Sequence, residues 1–174
     1  MTTPPPEIAP GRECGSCTMC CKTMRVAEID KPKDKWCPHC VIGKGCGIYE
    51  ERPASCREFL CVYLLDGTLG EHWKPSHSRM VLSNQIESVL RIYVDPDRPD
   101  VWRKQPYYAD LKKWSANAVR LKSIVVVQVG DNVTVILPDR DRSFGKLEPH
   151  QRLQLLTRMG PRGLEYDVEI RSQP

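Results

Sequence analysis

The chain has 174 residues, enough for one ordinary domain or a small module joined to a modest second one, and it can bury a real core. Its formal charge of +4, from 26 Lys/Arg against 22 Asp/Glu, counts every cysteine as neutral; two thiolate metal sites of about −2 each would cancel it, so the sign selects no partner. Residues 1–61 hold nine Lys/Arg against eight Asp/Glu, a balance that excludes the basic stripe expected of nucleic-acid binding.

In chain order, residues 1–12 carry four prolines and little to bury, and are expected as a flexible tail. No basic, apolar export segment opens the chain, and no run approaches the roughly 18 to 20 apolar residues a membrane span needs, so a cytoplasmic protein with no membrane partner is expected. Thiols stay reduced in that compartment, which argues against disulfides and for metal.

All nine cysteines fall between Cys14 and Cys61, dividing the chain into a cysteine-bearing module, 13–69, and a cysteine-free part, 70–174. From Glu13 to Lys22 ("ECGSCTMCCK") the spacing allows a short helix that stacks Cys14, Cys17 and Cys21 at i, i+3 and i+7, or a tight turn that directs three sulfurs to one centre. Then "WCPHCVIGKGCGIY" brings Cys37, Cys40 and Cys46 together among glycines that let the backbone curl around an ion. "ERPASCREFLCVYLL" predicts a helix with Pro53 in its first turn and Cys56 and Cys61 along it, closed by a turn at "DGTLG".

Beyond that point "SVLRIYVD" (88–95), "SIVVVQV" (123–129), "NVTVILP" (132–138), "QRLQLLT" (151–157) and "LEYDVEI" (164–170) are strand-like, with a tight hairpin expected at Gly130, Asp131 and Asn132. "PYYADLKKWSANAVRL" predicts a helix whose stripe of Tyr107, Leu111, Trp114, Ala118 and Leu121 packs on the sheet. "DRDRS" at 139–143 is expected as a solvated loop. The fold class is therefore α+β: a cysteine-rich module of short helices and loops, followed by a small, mainly antiparallel sheet with one covering helix.

The cysteine spacing carries the chemistry. CxxC lets two sulfurs meet one ion, and it occurs at 14/17, 17/20 and 37/40. Zinc fingers use separated pairs, whereas overlapping CxxCxxC with a remote Cys-Pro, here Cys37-Pro38, is how ferredoxins hold 4Fe-4S clusters. The candidate metal ligands are Cys14, Cys17, Cys20, Cys21, Cys37, Cys40, Cys46, Cys56 and Cys61, and the candidate cofactor is an iron–sulfur cluster or Zn2+, iron–sulfur being favoured slightly.

"CGSCTMCC", the cysteine of "WCPHC", and "GCGIYEERPASCREFLC" together resemble the signature of the YkgJ-type cysteine-cluster family, described as a zinc- or iron-chelating domain. The resemblance covers about residues 14–65 and implies that Cys14, Cys17, Cys20, Cys21, Cys37, Cys46 and Cys56 sit at family cysteine positions, with Cys61 at a less regular one and Cys40 extra. In the same box Arg52 and Arg57 are placed to neutralise anionic sulfur, and Tyr49 and Phe59 to pack around it. His39 lies between two ligands with its ring expected to point away. His72 and His77 read as surface or hinge residues, and Trp36 and Trp73 as an apolar lid.

Three functions are compatible with these residues. The first is a metal-binding protein, holding its centre for redox or metal handling while the second part docks a protein partner. The second is a cluster-assisted enzyme such as a protein lysine methylase, a role that a related cluster in flagellin lysine methylases suggests by resemblance. No nucleotide or S-adenosylmethionine loop accompanies it. The third is a dithiol oxidoreductase working through "CPHC".

Overall fold

The computed structural model describes residues 7–161 and 163–172, and the chain divides into two compact units. The first comprises Met1–Ser83 with Tyr93–Val101 and contains every cysteine; the second comprises Asn84–Ile92 with Trp102–Pro174.

In the first unit the helices are short. Helix α1 (Met19–Thr23) carries Cys20 and Cys21, and a two-residue hairpin, β1 (Cys40–Val41) with β2 (Gly45–Cys46), carries Cys40 and Cys46. Helix α2 (Ala54–Glu58) carries Cys56, while Cys61 caps α3 (Val62–Leu65). The single helix expected over 13–22 is thus confined to its last residues. Gly15 adopts φ +50°, a left-handed conformation that stops a helix from passing through Cys14 and Cys17. The second expected helix is likewise broken. Phe59 is extended at φ −76°, ψ 116°, because Cys61, Tyr63 and Leu64 are buried whereas no residue of α2 is, and packing draws α3 out of α2's course.

Part of the expected tail, residues 1–6, lies outside the described residues, but its end is fastened. The Ala9 amide donates to the Leu64 carbonyl at 2.9 Å. Arg12 stacks its guanidinium 4.0 Å from the centre of the Tyr63 ring and donates to the carbonyls of Gly67 and Leu69. Pro75 opens a further one-turn helix, α4 (Pro75–Ser78).

Strands β3 (Met80–Ile86) and β4 (Val89–Val94) form a hairpin whose tip belongs to the second unit, and the five-stranded sheet runs in the order β3-β4-β5-β6-β7. Helix α5 (Tyr107–Arg120) precedes β5 (Ile124–Val129), which pairs antiparallel with β6 (Asn132–Ile136) across a two-residue Gly130–Asp131 turn, Gly130 at φ +57°. Strand β7 (Asp141–Lys146) pairs antiparallel with β6, and β8 (Gln151–Gly160) and β9 (Gly163–Ser172) form a separate two-stranded ribbon. The α+β class, with its largely antiparallel sheet and one long helix, is as the pattern of the sequence implies.

Two details of the second unit differ from expectation. The fully buried face of α5 is Leu111, Ser115 and Val119; of the expected stripe Leu111 lies in it, Tyr107, Trp114 and Ala118 are half-buried, and Leu121 is 77% exposed. Ser115 belongs to the face because its hydroxyl donates to the Ile136 carbonyl at 2.6 Å, which satisfies the buried donor. And the charged stretch 139–143 runs into β7 instead of looping through solvent. Asp141 accepts from Lys112 at 2.8 Å and from the Tyr108 hydroxyl at 3.1 Å. Its charges are spent on α5 and β9, where Asp167 receives Arg142. The core beneath contains Val119, Ile124, Val126, Val133, Val135, Leu137 and Val168.

Candidate functional site

The nine thiols are free and all belong to the first unit. They form two neighbourhoods that meet where the charge of Cys21 is felt at Cys14. In one, a turn closed by the Cys17 amide on the Cys14 carbonyl (2.9 Å) follows the anchored Arg12, and the charges of Cys14 and Cys17 are felt at Cys61. Arg12 stacks on Tyr63, two residues beyond Cys61, so the fastening that ends the N-terminal stretch also delivers Cys14 to this side.

The second neighbourhood surrounds α1. The thiol of Cys21 is within hydrogen-bonding reach of those of Cys20 and Cys40, and its charge is felt at Cys56. The Cys37 amide donates to the Cys21 carbonyl at 3.0 Å, and the Cys40 amide to the Cys37 carbonyl at 3.0 Å, laying the CPHC turn against the helix. Cys46 is the cross-strand partner of Cys40.

Crowding sets the electrostatics. The bond with Cys20, together with burial, drives the Cys21 thiol far above its ordinary value of 9.0. Burial and the nearby Cys21 push Cys40 up to about 11, and burial with the charges of Cys14 and Cys17 pushes Cys61 up to about 11. Cys14 and Cys56 are raised as well, chiefly by burial. These five thiols are raised because burial strips a thiolate of its hydration, with neighbouring sulfur adding to the effect and, at Cys21, the Cys20 bond leading it.

Two cations lie against the sulfur. Lys31, only 3% exposed, donates its ammonium to the carbonyls of Lys22 (2.9 Å) and Met24, and burial pulls its pKa down against the charges of Cys21, Cys37 and Cys20. Sequence inspection passes over it, since "KPKDK" looks like a solvated lysine run. Arg52 lies 4.0 Å over the Tyr49 ring and exerts its charge on Cys14, and its buried Nε has no hydrogen-bond acceptor among the described residues. Arg57, by contrast, is exposed.

The remaining residues picked out from the sequence are placed as follows. His39 is exposed and contributes its backbone carbonyl to Gly47. His77 Nδ1 lies 3.9 Å from Glu71, and His72 is half-buried beside Trp73. Trp73 is fully buried, whereas Trp36 is half-exposed with the Lys22 ammonium 5.5 Å above its ring. Phe59 is half-buried and Tyr49 exposed.

The donor set suits a thiophilic ion or cluster: nine free thiols lie within one unit, and Arg52 keeps a buried Nε without an acceptor among the described residues. Among the described residues no three His, Cys, Asp or Glu side chains are drawn together closely enough to hold an ion as they stand. No described helix is long and apolar enough to cross a membrane. No family model, curated protein or solved structure matches the chain.

Proposed function

We propose that the cysteine-bearing unit is a thiolate metal-binding module, holding an iron–sulfur cluster or zinc. The observation that carries this reading is the crowding of Cys21 by Cys20 and Cys40, within the charge field of Cys37, Cys56 and the buried Lys31. A cluster of thiols that cannot ionise beside one another is relieved by a divalent ion or cluster, which displaces the protons and supplies the missing positive charge. Cys14, Cys17 and Cys61 form the first group of donors. Cys20, Cys21, Cys37, Cys40, Cys46 and Cys56 form the second, and nine sulfurs in two groups favour two centres.

Arg52 and Lys31 favour negative charge on sulfur through their own positive charge, Arg52 at Cys14 and Lys31 at Cys21. An iron–sulfur cluster would supply one-electron transfer, and zinc a redox-inert cross-link; the CxxCxxC run with its Cys-Pro favours the cluster, and the YkgJ-type resemblance accommodates both. The free energy of binding, on the order of 10 kcal/mol for a structural zinc, also explains how a unit with such short helices is held together.

The test is anaerobic purification of the untagged chain followed by its visible spectrum and assays of iron, zinc and acid-labile sulfide. Absorption near the roughly 400 nm of iron–sulfur charge transfer with matching iron and sulfide, or a colourless chain with about two zincs, supports the proposal. A chain that carries neither, and that binds neither on reconstitution, overturns it.

A further inference from the structure

The hairpin of β1 and β2 holds a relationship between thiols that reaches beyond metal binding. Cys40 and Cys46 are direct partners in an antiparallel ladder. The Gly47 amide donates to the His39 carbonyl at 2.8 Å, while the Cys40 amide turns away to the Cys37 carbonyl at 3.0 Å. The pair at 40 and 46 is therefore of the non-hydrogen-bonded kind, in which the Cα atoms approach to about 4.5 Å and both side chains stand on one face. A disulfide requires a Cα separation of about 4.4 to 6.8 Å and side chains on one side, and this register supplies both without backbone movement. The ladder bond at Gly47 and a turn bond from the Lys44 amide to the Val41 carbonyl (2.8 Å) fix the hairpin on both sides of the pair. The connecting loop is open to solvent, with Val41 and Ile42 exposed, so a small oxidant has access.

The geometry points to Cys40 and Cys46 as a dithiol–disulfide couple, a reversible modification site that exchanges with low-molecular-weight disulfides such as glutathione disulfide. One cysteine sulfur attacks the glutathione disulfide, forms a mixed disulfide and releases one glutathione. The second cysteine sulfur then displaces the other glutathione. The protein has lost two electrons and two protons, and the glutathione disulfide has become two thiols. While the bond stands, neither sulfur can serve an inorganic centre, so the couple is a switch on any such centre. Its chemistry needs no metal.

Sequence alone directs attention to Cys37 and Cys40, the CxxC pair, because the cross-strand register is invisible there. The Cys40 thiol also neighbours that of Cys21, so both Cys37 and Cys21 are competitors.

The full chain, reduced and freed of metal with a chelator, is treated with glutathione disulfide, and its remaining thiols are then alkylated. It is digested with trypsin, and the linked peptides are fragmented in the mass spectrometer. We expect peptide 36–44 joined to peptide 45–57, two hydrogens lighter than their sum, with the bond at Cys40 and Cys46, and alkylation lost at those two positions. A C37S/C56S chain keeps the link with undiminished yield, and addition of dithiothreitol restores both thiols. A dominant bond from Cys40 to Cys37 or Cys21, or full alkylation of Cys46 after Cys40 has been oxidised, overturns the inference. Since metal is absent throughout, failure here leaves the metal reading untouched, and failure of the metal assay leaves this couple standing.

Discussion

The Lys22 ammonium and the Asp95 carboxylate meet at 2.6 Å with both side chains almost wholly withdrawn from water. Asp97 and Arg79 extend the pair into a network, each bonded to one of its members. Lys22 follows Cys21 directly, so this pair ties the cysteine helix to the chain beyond β4 within one compact unit. Lys22→Met leaves Asp95 buried with one cation fewer and should cost about 3 kcal/mol, since breaking a buried pair strands the surviving charge. Lys22→Met/Asp95→Leu removes both charges and should regain much of that loss. Chemical denaturation of the two variants separates the cases; equal stabilities would refute the stranded-charge account.

The same carboxylate dictates an acid limb. Burial pushes Asp95 upward, but the Lys22 hydrogen bond, the Asp97 amide and the Arg79 and Lys22 charges outweigh it and hold its pKa below the ordinary 3.8. A group depressed in the folded state contributes stability that is complete above its unfolded pKa and disappears as pH falls through its folded one. The contribution of Asp95 is thus complete above about pH 5, begins to fall near pH 4 and is lost only as pH passes below the depressed folded value. Thermal midpoints measured from pH 7 downward should fall more steeply for the wild type than for Asp95→Asn, which begins lower and stays flatter. Parallel curves would remove Asp95 from the account.

Arg52 gives the metal reading a residue-level consequence. Its guanidinium has an Nε without an acceptor and bears on Cys14, so Arg52→Gln should speed release of the centre to a chelator by about tenfold, as loss of a group supporting a ligand does. Arg57→Gln, at an exposed position in the same box, should leave the release rate unchanged. Identical release from the two variants would show that Arg52 takes no part in holding the centre.

In the second unit, the face of α5 is decided by two leucines. Leu111 is fully buried and Leu121 is open to solvent, so Leu111→Ala should cost about 3 kcal/mol and Leu121→Ala less than about 0.5 kcal/mol. Urea midpoints measure both. A large effect at Leu121 would restore the stripe that ends there.

How much of this was legible beforehand follows from what each residue pattern encodes. Five of the strands announce themselves through runs of branched residues, and α5 through a proline start and a helical stripe. Strand β3 is silent because its first four residues are all buried and its last three exposed, which gives no alternation to detect. Strand β7 is silent because its charges look like a solvated loop until Lys112, Tyr108 and Asp167 are placed around it. At the candidate site the sulfurs can be read from spacing, but their division cannot. The charges of Cys14 and Cys17 reach Cys61, far away in the chain, and that of Lys31 reaches Cys21 because the lysine folds back onto the Lys22 carbonyl, a placement its composition masks. The helix expected to line up Cys14, Cys17 and Cys21 fails at a single glycine, Gly15, whose left-handed conformation no periodicity reveals.

The ribbon of β8 and β9 has one residue fully inside the core, Val168, near its middle, flanked by Arg140 and Arg142 binding to the ribbon's backbone at Tyr166 and Val168. Gripped there, it behaves as a cantilever. Tyr166 also packs on the core, and from it to Gly163 the strand runs about 10 Å at 3.4 Å per residue, to an end where Met159 faces Leu164, 79% and 53% exposed. A contact made at that end acts through the overhang on the Val168 and Tyr166 anchorage. Trimming Val168 to alanine would loosen the distant pair of Met159 and Leu164 without touching either.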